Sequence, residues 1–211
     1  MALTLYDYGM APSPRRARML LIEKAVPFDR VIVDLAAGEQ LGEAYRAINP
    51  ACTVPALGLE DGILLTDNAA IAAYLEAAYP TPAMMGVTPV ERAAVASWAW
   101  AAEMEGLMAI AEAMRNSAPA MKGRALPGPI DYPQIPALAE RGMLRLAAFF
   151  AKLDKRLMGR DFLAINEFSL ADLVAYIAVD FARVVRVKPS PEQANLIRWR
   201  DAIALRPSAS A

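Results

Sequence analysis

The chain has 211 residues, 56% of them hydrophobic and 21% charged, which excludes disorder and leaves room for one large domain or two small ones. With 22 Lys+Arg against 23 Asp+Glu there is no net basic pull toward nucleic acid or an anionic membrane, although Arg15, Arg16 and Arg18 gather locally. A single cysteine, Cys52, excludes an intrachain disulfide and a CxxC redox pair, and the absence of histidine excludes Ser-His-Asp and Cys-His catalysis and His-ligated metal sites.

Residues 3–8, "LTLYDY", alternate apolar with polar or aromatic side chains and predict a strand. Ser13-Pro14 offers a helix N-cap followed by proline at the first helical position. "RRARMLLIEKAV" continues that helix, with Ala17, Leu20, Leu21 and Lys24 at helical spacing, until Pro27. "FDRVIVDL" then reads as a β-branched strand, and a short helix is expected at 39–47. Residues 55–60 and 63–66 form a hairpin about Asp61-Gly62, and a helix over 67–79 follows. Beyond the proline-rich 79–89 the strand signals stop. Residues 89–116 read as one long helix and 135–158 as another, separated by the Pro/Gly-rich segment 117–136, longer than an ordinary loop. Ser169 and Asp172 form a capping box that opens a nearly all-apolar buried helix, assigned to folding, and a last helix runs over 191–205. An α/β domain over 1–80 thus precedes an all-helical domain over 89–211. No apolar run reaches the ~18–20 residues of a membrane span. The start "MALTLYDYGM" lacks the features of an export signal, so a cytoplasmic protein is expected.

Five segments in this order carry a resemblance: "SPRRARMLLIEKAVPF", "INPACTVPAL", "DGILLTDNAAIAAYL", "FSLADLVAY" and "NLIRWRDAIALRPS". Together they resemble the cytosolic glutathione transferase family, bacterial-like and serine-type, near its tau and theta branches. The resemblance implies a thioredoxin-like glutathione-binding N-terminal domain and an all-α C-terminal domain supplying an apolar second-substrate pocket. It implies a homodimer, a role in detoxification, glutathione as cosubstrate, and no metal.

Carried over residue by residue, Val54-Pro55 matches the family's cis-proline turn, which leaves the Val54 backbone free to pair with the cysteinyl unit of glutathione. A proline at a strand edge is the plainer account. Asp67 and Asn68 stand where the family holds an acidic residue and a serine, receiving the γ-glutamyl ammonium and carboxylate at a helix start. Either Thr66 or Asp67 would also serve there simply as a cap. Thr53 replaces the lysine often found two residues before the cis-proline, and Gln40 is the polar partner left for the glycyl carboxylate. Cys52, in the same loop, is ordinarily a small buried residue, with a mixed disulfide to glutathione as the redox alternative.

Ser13 is the candidate catalytic hydroxyl, donating to the glutathione thiolate at a helix N-terminus beside three arginines. Ser-Pro is also an ordinary helix start. Tyr8 is the alternative, as in the tyrosine-type branches. Met104, Met108 and Ala111 at i, i+4, i+7 spacing, with Met10 before Ser13, are candidates for the second-substrate pocket, although methionine stripes are more often core. Trp98, Trp100 and Trp199 read as core or interface anchors. The reading is conjugation of glutathione to an apolar electrophile. A glutathione-dependent isomerase or lyase and a non-catalytic binding or assembly module are the alternatives.

Overall fold

The computed structural model describes residues 3–210, which divide into two compact units. The first comprises residues up to 82 with 126–131, and the second comprises 83–125 with 132–210.

The first unit is built on a mixed four-stranded sheet. Strands β1 (Leu3–Asp7), β2 (Phe28–Ile32), β3 (Ala56–Gly58) and β4 (Leu64–Leu65) lie in the order β2-β1-β3-β4. β1 and β2 are parallel, joined through helix α1 (Pro12–Glu23), whereas β3 is antiparallel to both β1 and β4. A short helix α2 (Glu43–Ile48) precedes β3, and helix α3 (Asn68–Ala78) follows β4. The period of two along β1 puts Leu3, Leu5 and Asp7 on one fully buried face and Thr4 and Tyr6 on the other. Asp7 is a carboxylate where an apolar residue would be expected. Its two oxygens accept from Arg18 on α1, each at 2.6 Å, and from Arg30 on β2. The charge is therefore buried with its partners, and it ties β1 to both neighbours. The other face packs Tyr6, Tyr8 and Leu35 against Val33, Tyr45 and Val54, with the Tyr6 and Tyr45 rings edge to face at 5.9 Å.

Lys24, which sequence periodicity places in the apolar stripe of α1, is indeed buried, but as an ammonium. Its three hydrogens meet Tyr79 O and Pro82 O at 2.8 Å and Glu76 at 2.7 Å, so every donor is used. The Thr81-Pro82 peptide bond beside it is cis, as is Val54-Pro55.

The second unit is helical: α4 (Pro89–Ala101), α5 (Met108–Arg115), α6 (Pro136–Arg156), α7 (Leu170–Phe181) and α8 (Ala194–Ala204). The single helix expected over 89–116 is interrupted by a π-helical segment, Ala102–Leu107, between α4 and α5. Gly106 within it lies so close to α6 that a Cβ there would sit 2.6 Å from the Phe149 ring. Arg145 of α6 donates to the Met104 carbonyl in the widened turn. The expected Ser169–Asp172 box is present at the start of α7, and a second box, Thr88–Glu91, opens α4. The segment 117–136 is held in place by side chains: Gln134 Nε2 donates to Arg115 O and Ala118 O at 2.8 Å, and Arg115 Nη1 to Arg124 O at 2.8 Å. Among the described residues no helix is long and apolar enough to cross a membrane.

Helices α5 and α6 approach closely at Gly142, where an added Cβ would lie 2.6 Å from Ala109 O and 2.7 Å from Ala113 N. Because both clashes are with backbone, no side-chain rotation relieves them. Gly142→Ala is expected to destabilise the fold by about 1–3 kcal/mol, the usual range for overpacking, despite alanine's better helix propensity. A urea midpoint equal to or above that of the parent would contradict this close approach.

Candidate active site

The site centres on the Ser13 hydroxyl. Sequence reasoning makes Ser13 the N-cap of α1, but that position belongs to Ala11, with backbone angles φ −88° and ψ 137°. Pro12, not Pro14, is the first helical residue, since its fixed φ suits that place and its missing N–H costs nothing there. Ser13 therefore lies inside the first turn, and its side chain makes no capping bond. Instead its oxygen accepts from Asn68 Nδ2 at 3.0 Å and from Arg16 Nη2 at 3.3 Å. Asn68 is the first residue of α3, whose N-cap Asp67 accepts from the Ala70 amide at 2.8 Å. The N-termini of α1 and α3 thus meet at one half-buried hydroxyl. The start of α3 presents the amides of Asn68 and Ala69, and α1, whose Pro12 and Pro14 lack an N–H, presents that of Ser13; both add a positive dipole end and Arg16 its guanidinium charge, so the place favours an anion. Burial lowers the Arg16 pKa to about 10, which leaves it cationic at neutral pH.

The loop before β3 is shaped by Asn49, which is buried. Its Nδ2 donates to Thr53 O at 2.9 Å, its Oδ1 accepts from Ala51 N at 3.1 Å, and the Tyr45 hydroxyl also reaches Thr53 O at 2.7 Å. Burial raises the Tyr45 hydroxyl to about 12, so it stays a donor. The Thr53 carbonyl is thereby occupied internally, and what Thr53 can offer a ligand is its half-exposed side chain. Val54 and Pro55 are buried and joined by the cis bond, and Val54 shares the cluster that holds Tyr8. Tyr8 packs as an aromatic member of that cluster, apart from the Ser13 hydrogen bonds. Gln40 lies in a 3-10 turn, Glu39–Leu41, only 3% exposed, and its Oε1 has no partner among the described residues. Cys52 is buried with its thiol toward Pro50 O at 3.5 Å, the plainer of its two readings.

In the second unit, Met104 lies within the π-helical segment, whereas Met108 and Ala111 belong to α5, so the three do not share one uniform helical spacing. They are not core: Met104 and Ala111 are half-buried and Met108 is 37% exposed. Met10, in the first unit, is 80% exposed. Of the tryptophans, Trp199 is fully buried, Trp98 lies under Lys152 and Arg156, and Trp100 is 64% exposed rather than core.

The family model described as "Glutathione S-transferase, N-terminal domain" matches residues 11–78, and the corresponding "C-terminal domain" model matches 108–207. A solved glutathione S-transferase domain-containing protein from Marinobacter aquaeolei VT8 is 31% identical, with 97% of this chain and 98% of that one covered and a TM-score of 0.87. The chain belongs to the glutathione S-transferase family of enzymes. Its two units are accordingly the family's thioredoxin-like N-terminal domain and helical C-terminal domain. Glutathione S-transferase 2 of Saccharomyces cerevisiae is 29% identical over 211 residues, covering 98% of this chain and 87% of that protein. Maleylacetoacetate isomerase of Pseudomonas aeruginosa is 39% identical over 93 residues, 43% of this chain and 44% of that protein.

Within this transferase, the residues that sequence reasoning passes over are Arg16, Tyr45 and Asn49. Arg16 was legible only as one of a local basic group; its position three residues after Ser13 on a helix was the available signal. Asn49 precedes a proline and closes a turn on its own loop, a habit of Asn-Pro pairs. Nothing in the sequence pairs Tyr45 with Thr53.

Proposed function

We propose that this transferase binds glutathione in its N-terminal domain and conjugates the glutathione thiolate to an apolar electrophile, with the Ser13 hydroxyl donating to the sulfur. The observation that carries the reading is the Ser13 oxygen at the paired starts of α1 and α3, accepting two hydrogen bonds while its own hydrogen has no acceptor among the described residues. The bound thiol loses its proton to solvent, and the anion is held by the hydroxyl, the helix ends and the Arg16 charge. The C–S bond then forms as a leaving group departs with its electron pair. In an addition, the electron pair moves onto a conjugated acceptor that water protonates.

The rest of the tripeptide is assigned by chemistry. The cysteinyl unit pairs with the Val54 backbone beside Pro55. The γ-glutamyl carboxylate meets the amides at the start of α3 and the second amide hydrogen of Asn68, and its ammonium meets the Asp67 oxygen that the Ala70 amide leaves over. Gln40 and the Thr53 side chain serve the glycyl end, where a neutral pair binds less strongly than a cation. Met104, Met108 and Ala111 are assigned to the electrophile, since open methionines accommodate varied apolar shapes. The exposed Trp100 and Val90 on α4 support a homodimer. Sedimentation that finds only a 22.8 kDa species would count against it. A cytoplasmic, detoxifying role completes the proposal.

Retention on immobilised glutathione, with loss of free thiol when a generic electrophile is added, tests the activity. Asp67→Ala is expected to weaken glutathione by about tenfold in calorimetry, and Thr53→Lys to tighten it. If both are silent, glutathione does not bind as assigned. The similarity to a maleylacetoacetate isomerase supports a second reading, isomerisation through a transient adduct. That reaction returns glutathione unchanged, so turnover without thiol loss would favour it.

A further inference from the structure

We propose that Asn68 is a positioning residue for Ser13: acting with Arg16, it fills the acceptor side of the serine oxygen and turns the single hydroxyl hydrogen toward the bound thiol. The inference rests on the reading of Ser13 as the thiolate's donor. A serine hydroxyl has one hydrogen and two lone-pair directions. In an unconstrained first helical turn, that hydrogen is free to rotate back onto a nearby backbone carbonyl. Here Asn68 Nδ2 at 3.0 Å and Arg16 Nη2 at 3.3 Å occupy both acceptor directions, and no described residue accepts the hydrogen. The one remaining direction is outward.

Two further features make this arrangement more than a contact. Donation into an oxygen polarises its O–H bond, and a charged donor such as Arg16 does so more strongly. The donors also stand on rigid elements: Arg16 is one turn along α1, and Asn68 opens α3 immediately after the Asp67 cap. The chemistry at position 68 sets the direction of the bond. An amide nitrogen can only donate to Ser13, whereas a carboxylate of the same shape can only accept, drawing the hydrogen inward and away from the sulfur.

The test is an ultraviolet titration of the thiolate of enzyme-bound glutathione in the parent, Asn68→Ala, Asn68→Asp, Ser13→Ala and the Ser13→Ala/Asn68→Ala double variant. Folding of each is checked by circular dichroism. Asn68→Ala is expected to raise the bound thiol pKa by roughly half a unit to one unit, a factor of about 3–10 in thiolate at fixed pH. Asn68→Asp, which preserves shape and helix start, should raise it further; if the alanine variant does not fold, Asn68→Asp is compared with Ser13→Ala/Asn68→Asp, where the added charge is the same and only the part passing through the hydroxyl is lost. In the Ser13→Ala background, Asn68→Ala should add nothing, because its effect passes through the hydroxyl. An undiminished shift in that background would show that Asn68 acts on the thiol without the hydroxyl and overturn the proposal. A Ser13→Ala shift with silent Asn68 variants would overturn it while leaving the serine assignment intact. A silent Ser13→Ala would remove the serine assignment and the inference together.

Discussion

Ser13→Ala is expected to lower kcat by about 10–100-fold while leaving the enzyme folded. Removing one preorganised donor to a developing oxyanion typically costs 10²–10³ in rate, and a neutral hydroxyl facing a diffuse sulfur anion should contribute somewhat less. The sign of the pH effect follows from which state the hydroxyl stabilises. It donates to the thiolate and not to the thiol, so its loss disfavours the anion and raises the pKa of bound glutathione. The rising limb of the rate profile should therefore move to higher pH. Because Ala11 and not Ser13 caps α1, the substitution costs no helix cap. It does remove the acceptor of the Asn68 and Arg16 hydrogen bonds, worth about 1–2 kcal/mol together, so rates must be compared on folded protein. Tyr8→Phe should leave both rate and pH profile nearly unchanged, since that ring packs with the Val54 cluster. Loss of turnover in Tyr8→Phe with retention in Ser13→Ala would reverse the assignment.

The largest loss of stability from a single side chain is expected at Asp172, where replacement by alanine should cost about 3–5 kcal/mol. Its carboxylate is fully buried and receives four donors: Leu163 N at 2.8 Å, Ser169 N at 3.2 Å, Ser169 Oγ at 2.9 Å and the Trp199 indole at 3.1 Å. Burial pushes this carboxyl up while the four donors pull it down, so the charge is tolerated only because the hydrogen bonds are there. Alanine would leave all four donors without an acceptor, and each buried unsatisfied group costs about 1–3 kcal/mol before water reclaims some of them. Asparagine separates charge from shape. Its oxygen can serve Leu163 and Trp199, but its amide then faces the Ser169 N–H, so about half the loss should remain. Chemical denaturation followed by tryptophan fluorescence checks both, with Trp199 reporting from inside the network. A midpoint unchanged in Asp172→Ala would mean the box is only a local cap.

Much of this architecture was legible from residue types in series. Alternation along 3–8, the Asp61-Gly62 turn and the Ser169–Asp172 box are local signals, and local signals identify elements because the groups that satisfy one another are neighbours in the chain. Two expectations failed, one local and one not. Ser13 and Ala11 competed for one cap, and Pro12 decided between them; the helix expected over 89–116 is broken by a π-helical turn, where Gly106 lies against the Phe149 ring of α6. What only tertiary structure decided are the partnerships across long stretches of sequence. Asp7 with Arg18 and Arg30, Lys24 with the end of α3, Trp199 with Asp172, and above all Asn68 with Ser13 join residues that no periodicity relates. Composition shows that such polar groups exist, and burial requires that each find a partner. Which partner it finds depends on where the sheet and helices bring the chain back upon itself. In this chain, that return brings the starts of two helices to a single serine oxygen.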